Sequence, residues 1–157
     1  MSDSFQPFIG QALRRVLYYR PEAEASTELN WPGFHDVGQG VELVFDTGRF
    51  FVTWDTAADE ELSIRPGCMV DFLRMGVFED VSAHPDWQGY IGRPLEALRL
   101  LPNEAAVQIG GQQVFIVTAE VDPDTLLIEG MADNLVVFFS PELRNAFFAQ
   151  YPGTPAG

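Results

Sequence analysis

Alternation of apolar and polar residues is clearest at residues 40–54, where GVELVFDTGRFFVTW predicts a β-hairpin. Two β-rich runs, residues 41–46 and 49–54, flank a turn that contains Gly48. A type I turn with a bulge at Gly48 is the alternative to a two-residue loop. With the two-residue loop, opposite residues form three apolar pairs on one face: Phe45 with Phe50, Leu43 with Val52, and Val41 with Trp54.

The same pattern recurs in the second half of the chain. Ile9-Gly10-Gln11-Ala12-Leu13 resembles Ile91-Gly92-Arg93-Pro94-Leu95, and a second hairpin is predicted from residues 105–109 and 114–119. We therefore predict an internal repeat over roughly residues 9–65 and 91–139, in which the first copy carries an insertion near residues 21–38. Chance resemblance between short β patterns is the alternative.

The other segments are short and separated by turns. Residues 13–19 fit helical and strand spacing, and we favour a strand because it would pair with the hairpin. For residues 69–81 the pattern fits both a helix and a strand. The remaining predictions are a loop at 21–30, strands at 61–65, 126–128 and 135–139, a single helical turn capped by Ser82, a turn at 129–133, and a C-terminal helix opened by Ser140-Pro141-Glu142.

These elements predict a mostly β protein in which two related strand-plus-hairpin meanders form a sandwich or a barrel, with a short C-terminal helix. A hydrophobic content of 46% in 157 residues is enough for one domain spanning residues 1–157. Residues 151–157 are expected to be a flexible tail.

Charge is the strongest compositional feature, since 9 basic and 23 acidic residues give a net charge of −14. Every basic residue is arginine. Such a field repels nucleic acid and anionic membranes and accelerates encounter with basic partners. Because the chain has one cysteine and no signal peptide is apparent at its start, we expect a reducing cytoplasm.

The acidic residues are clustered, and both clusters follow the second strand of a predicted hairpin. We predict that they bind a basic protein partner, with two loop tryptophans as exposed anchors. The predicted partner-binding residues are Asp55, Asp59, Glu60, Glu61, Glu120, Asp122, Asp124, Trp31 and Trp87. Small acidic domains of this general type include the immunity proteins that neutralise bacterial toxins, although the similarity is one of composition alone.

Catalytic chemistry has little support in the sequence. Cys68 and the two histidines form no recognisable nucleophile motif, and neither a phosphate-binding loop nor a Gly-x-Ser-x-Gly motif is present. His35-Asp36 and His84-x-Asp86 contain metal-ligating residue types, but a structural role in Pro-rich turns is the favoured interpretation. We therefore predict no catalytic residue, no metal site and no cofactor.

Two alternatives remain open. One is a small-molecule-binding module or a carboxylate-based enzyme, in which acidic residues and a histidine point into an apolar cavity. The other is self-association into a homodimer through hairpin edges. The candidate residues of the first alternative are Asp36, Asp71, Asp80 and His84.

Overall fold

Two five-stranded antiparallel sheets pack face to face as a sandwich and do not close into a barrel. The computed structural model describes residues 3–20, 33–55, 61–72, 76–121 and 128–150. The first sheet has the strand order β5-β4-β3-β1-β6 and the second β2-β10-β9-β8-β7. The strands are β1 (Leu13–Arg20), β2 (Phe34–Gly38), β3 (Gly40–Phe45), β4 (Arg49–Asp55), β5 (Glu61–Pro66), β6 (Val77–Asp80), β7 (Leu95–Leu101), β8 (Glu104–Ile109), β9 (Gln112–Val121) and β10 (Ile128–Phe138).

Helical segments are few. A 3₁₀ helix at Asp3–Phe8 precedes β1, and the α-helices are α1 (Met69–Phe72), α2 (Pro85–Gln88) and α3 (Pro141–Gln150). None of these helices has the length and apolar character that a membrane span requires, as far as the described ranges extend. The mostly β architecture with a C-terminal helix is therefore confirmed, and the sandwich is the correct form of the two proposed.

The alternating residues of both sheets meet in one apolar layer. Leu43 and Phe50 of the first sheet and Val107 and Ile116 of the second are fully or almost fully buried there. The predicted inward face of the first hairpin is confirmed, since all six of its residues belong to this layer or pack against it. Burial of such a continuous apolar surface is the main force holding the two sheets together.

The predicted register of that hairpin is wrong. Leu43 pairs with Phe50 and Val41 with Val52, which is a shift of two residues from the prediction. The connection is a four-residue turn in which the Phe45 amide donates to the Gly48 carbonyl over 2.8 Å. Because side chains alternate with a period of two, a shift of two residues keeps the same residues on the inward face.

The two segments of the predicted repeat pair with each other across the sandwich. The Gly10 amide donates to the Leu95 carbonyl over 2.8 Å, and the Gly92 amide donates to the Leu13 carbonyl over 2.7 Å. If each residue is replaced by its counterpart in the other segment, the first of these hydrogen bonds becomes the second. Pairing is also equivalent further along: register shifts occur between Leu13 and Arg15 in β1 and between Leu95 and Ala97 in β7. An origin by duplication stays a prediction.

Several local predictions are confirmed and others are corrected. Residues 13–19 and 61–65 lie in β1 and β5, the second hairpin is β8 and β9, and residues 69–81 contain both α1 and β6. Residues 129–133 do not form a turn, because β10 continues through them with an irregular register between Gly130 and Leu135. Residues 21–30 and 126–127 lie outside the described ranges.

Both predicted hairpins lie inside their sheets. β3 and β4 are flanked by β1 and β5, while β8 and β9 are flanked by β7 and β10. Their backbone edges are therefore already paired within the chain, and the edge strands are β5, β6, β2 and β7. Self-association by strand pairing stays a prediction, and the edges that it would use are those of these four strands.

Candidate functional site

The predicted acidic residues that the structure describes lie where strands of each sheet end. Asp55 is the last residue of β4 and is the cross-strand partner of Glu61, the first residue of β5. In the second sheet, Glu120 of β9 is the cross-strand partner of Glu129 of β10. Asp59, Glu60, Asp122, Asp124 and Trp31 lie outside the described residues.

Both acidic strand ends adjoin the turn at Pro102 and Asn103, which joins β7 to β8. The Leu62 amide, next to Glu61, donates to the Pro102 carbonyl over 2.9 Å. The Thr118 amide, two residues before Glu120, donates to the Asn103 carbonyl over 3.1 Å. We name the four backbone positions Asp55, Glu61, Glu120 and Glu129 the acidic rim.

Trp87 is not the exposed anchor that its sequence neighbours indicate, because its side chain is fully buried. It lies in the single turn α2, and its indole Nε1 donates to the Tyr18 hydroxyl over 2.6 Å. Its ring packs edge-on against Phe139, with centroids 5.0 Å apart. Pro85 and Asp86 begin this turn, and the side chain that follows them, Trp87, is the buried residue of the turn.

Trp87 is one end of a buried polar network that crosses the sandwich. Tyr18 of β1 lies 2.7 Å from Nδ1 of His35 on β2, measured from its hydroxyl oxygen. The other ring nitrogen, Nε2, lies 2.9 Å from a carboxylate oxygen of Asp86. One assignment of protons satisfies every group: Trp87 donates to Tyr18, Tyr18 donates to Nδ1, and Nε2–H donates to Asp86.

His84 completes the network from the surface side. Its Nδ1 accepts the Asp86 backbone N–H over 3.1 Å, so that His84 caps α2 in place of the predicted Ser82. Ser82 instead donates through its hydroxyl to Asp80 over 2.5 Å. The His84 and His35 rings meet edge to face, with centroids 4.5 Å apart.

Burial controls the electrostatics of this network. It lowers the pKa of His35 from 6.5 to about 4, because the hydrogen bond to Asp86 offsets only part of the cost of removing the ring from water. Burial also raises the pKa of Tyr18 well above its ordinary value of 10.0. Both groups are therefore neutral at pH 7.

The sequence shows metal-ligating residue types at His35, His84 and Asp86, but it does not predict that these three side chains meet. Each offers one potential metal-ligand atom, and these atoms lie within 4.8 Å of one another. Asp36 is not part of the cluster: its carboxylate accepts a hydrogen bond from Asn134 Nδ2 over 2.5 Å. Asp80 is paired with Arg15 near the surface instead. Tyr18 was missed, since nothing in its alternating strand distinguishes it from a core aromatic.

A cavity of about 440 Å³ lies beside the network. Tyr90 and Phe139 form part of its wall and also contact Trp87. The rest of the lining is neutral, and consists of Gln108, Gly111, Gln112, Gln113 and Pro141. Such a lining offers amide donors and acceptors next to aromatic surface.

Cys68 is half-buried in a second groove, of about 410 Å³, which Asp71 and Phe72 also line. The two histidines of the chain lie together in the buried network, so the groove presents a thiol beside aromatic rings rather than a cysteine–histidine pair.

The chain matches no family model, no curated protein and no solved structure in the three comparisons made.

Proposed function

We propose that this protein is a non-catalytic acidic binding protein that recognises and occludes a basic macromolecular partner, in the manner of immunity proteins that neutralise bacterial toxins. The observation that carries the proposal is the net charge of −14 in a chain without lysine. A field of this size steers basic partners and repels nucleic acid and anionic membranes. A cytoplasmic location in a bacterium is part of the proposal.

The distribution of arginine supports it. Within the described ranges, five arginines form ion pairs with carboxylates of the same chain: Arg14, Arg15, Arg20, Arg49 and Arg144. Each of these positive charges is compensated locally by a carboxylate. The backbone also places acidic residues opposite each other at two strand ends, since Asp55 pairs with Glu61 and Glu120 pairs with Glu129.

The test begins with the reading frame next to this gene. Its product is co-expressed with this chain, and complex formation is measured over a series of salt concentrations. We expect a basic partner whose affinity falls steeply with added salt. A neighbouring product that is basic and does not bind would contradict the proposal, as would a complex whose affinity is independent of salt.

A matched pair of variants tests the surface. Glu60→Lys with Glu61→Lys changes the net charge by the same amount as Asp71→Lys with Glu96→Lys. We expect the first pair to abolish the complex and the second to weaken it only through the smaller overall charge. Equal weakening by both pairs would show that net charge alone acts, without a defined surface.

A second candidate function rests on the cavity beside Tyr90 and Phe139. Its neutral amide and aromatic lining favours an uncharged polar small molecule. No carboxylate contributes to this lining within the described ranges, so binding is favoured over carboxylate catalysis. Binding of such a ligand would be nearly independent of salt, which separates this candidate from the first.

A further inference from the structure

Three potential ligand atoms converge from two elements that are distant in sequence. Nε2 of His35 lies 2.9 Å from a carboxylate oxygen of Asp86, and Nδ1 of His84 lies 3.8 Å from the same oxygen. Around a tetrahedral zinc ion with bonds of about 2.0–2.1 Å, ligand atoms are about 3.3 Å apart. The two observed distances lie on either side of that value, and all three atoms lie within 4.8 Å of one another, so side-chain rotations are needed to place them on one ion.

The surroundings hold the ligands in place. The Tyr18 hydroxyl fixes the orientation of the His35 ring through Nδ1, and Phe139 packs against the ring with centroids 4.7 Å apart. In metal sites the second nitrogen of a ligating histidine commonly donates its N–H to a neighbouring acceptor, a role that the Tyr18 oxygen can fill for Nδ1. His84 and Asp86 are the N-cap residue and the first-turn acid of the single turn α2, and metal binding at His84 Nδ1 would replace the hydrogen bond that this atom accepts from the Asp86 backbone N–H.

The cluster is closed on one side and open on the other. The side chain of His35 is fully buried, whereas 20% of the His84 side chain and 32% of the Asp86 side chain are exposed. An ion could therefore enter from solvent and keep water in its remaining coordination positions. This is the usual form of a site with three protein ligands.

We propose that His35, His84 and Asp86 bind a divalent transition-metal ion, with zinc as the ion that the donor set fits best. Two imidazoles and one carboxylate suit zinc and cobalt, while magnesium and calcium prefer oxygen ligands alone. Binding requires His35 to release the Nε2 proton that it shares with Asp86 and to carry its proton on Nδ1, facing Tyr18. This tautomer change leaves the Tyr18 hydroxyl proton without its acceptor, which weakens the site relative to one that is preformed.

The experiment is a calorimetric titration of the chelator-treated full-length chain with zinc chloride, in the presence of excess magnesium. We expect one ion per chain. His84→Asn keeps a good helix cap but removes the imidazole, and Asp86→Asn keeps a hydrogen-bond acceptor for His35 but removes the charge. Each should weaken zinc binding at least about tenfold. Asp71→Asn, which removes one carboxylate elsewhere, should leave the affinity unchanged.

A second measurement does not depend on variants. The chain has two histidines, so imidazole nitrogen NMR signals can be followed individually. We expect one equivalent of zinc to shift the signals of both. The proposal is overturned if zinc binds without shifting either histidine, or if the Asn variants at 84 and 86 bind as well as the unmodified chain. It is also overturned if magnesium displaces the zinc, since the ion would then be held by the acidic surface alone. This site does not depend on the proposed partner binding.

Discussion

Two buried polar arrangements in this protein compensate the loss of hydration of their polar groups in different ways. On the outer face of the second sheet, under α3, Arg144 contacts both carboxylate oxygens of Glu104 at distances of 2.8 and 2.6 Å. Between the sheets, the network of Trp87, Tyr18 and His35 is equally buried and reaches one carboxylate, Asp86, near its surface end. The first arrangement is an ion pair, and the second is a chain of neutral donors and acceptors.

The difference follows from which groups each location can supply. Helix α3 presents a guanidinium, whose planar fork matches a carboxylate and which also stacks 4.3 Å from the Phe148 ring centroid. A charge can therefore stay buried there because an opposite charge is held beside it. Between the sheets, burial lowers the pKa of His35 to about 4, so that the ring is neutral instead. Removing one partner should consequently lower the free energy of unfolding far more in the ion pair than in the neutral network.

The largest effect is expected from Arg144→Met. Glu104 is 1% exposed, so this variant leaves a carboxylate buried without its cation. We expect the free energy of unfolding to fall by about 3–5 kcal/mol. Urea denaturation, followed by tryptophan fluorescence, measures the change without screening charges.

The double variant Glu104→Leu with Arg144→Met is the control. It replaces both charges by apolar groups under α3, and we expect it to recover most of the lost stability. If the double variant were as unstable as Arg144→Met, the loss would come from packing of the arginine on Phe115 and Phe148 and not from the unpaired charge.

The next effect concerns pH and the neutral network. Because the pKa of His35 is about 4 in the folded chain and 6.5 when unfolded, only the unfolded chain takes up the proton between these values. This stabilisation is complete above pH 6.5 and is lost as the pH falls towards 4. The total is about 3 kcal/mol for a shift of this size. Urea denaturation of the chelator-treated chain across this range measures it.

His35→Gln supplies the comparison for that measurement. Glutamine can accept from Tyr18 and donate to Asp86 without titrating, so the variant should be less stable at pH 7 but should show a flatter pH profile. Two aspartates have pKa values below 3.8. The pKa of Asp46 is lowered by its bond to Arg14, and that of Asp80 is lowered because bonds from Ser82 and Arg15 outweigh burial. Their contributions therefore disappear at lower pH. An unchanged slope in His35→Gln would contradict the assignment.

Sequence patterns predicted the framework of this molecule because each strand carries its own information. Alternation identified the inward faces of the hairpins, and Ser140-Pro141-Glu142 identified the start of α3. The register of the first hairpin was not predictable in the same way, since a shift of two residues leaves every side chain on its predicted face.

The buried network depends on contacts that no local pattern contains. His35 and Asp86 are 51 residues apart, and they meet only because the tertiary structure brings β2 and α2 together. Trp87 follows Pro85 and Asp86, which are typical of exposed turns, and only the tertiary structure shows that its indole is covered. Partners of buried polar groups are therefore the part of the site that required the structure.

A second buried carboxylate gives the smallest expected effect and can be compared directly with Glu104. Glu42, on the outer face of the first sheet, is 4% exposed, but its two carboxylate oxygens accept from different donors, one from the Met69 amide at 2.6 Å and the other from Arg49 at 3.3 Å. The side chain of Arg49 is 35% exposed, so water already screens its charge. Arg49→Met should therefore cost about 1 kcal/mol in urea denaturation, although it is the same substitution as Arg144→Met. Equal losses at the two positions would show that burial of the carboxylate alone sets the cost. A smaller loss for Arg49→Met would show that the cost depends on whether the carboxylate has another donor. Glu42 keeps the Met69 backbone donor when Arg49 is removed.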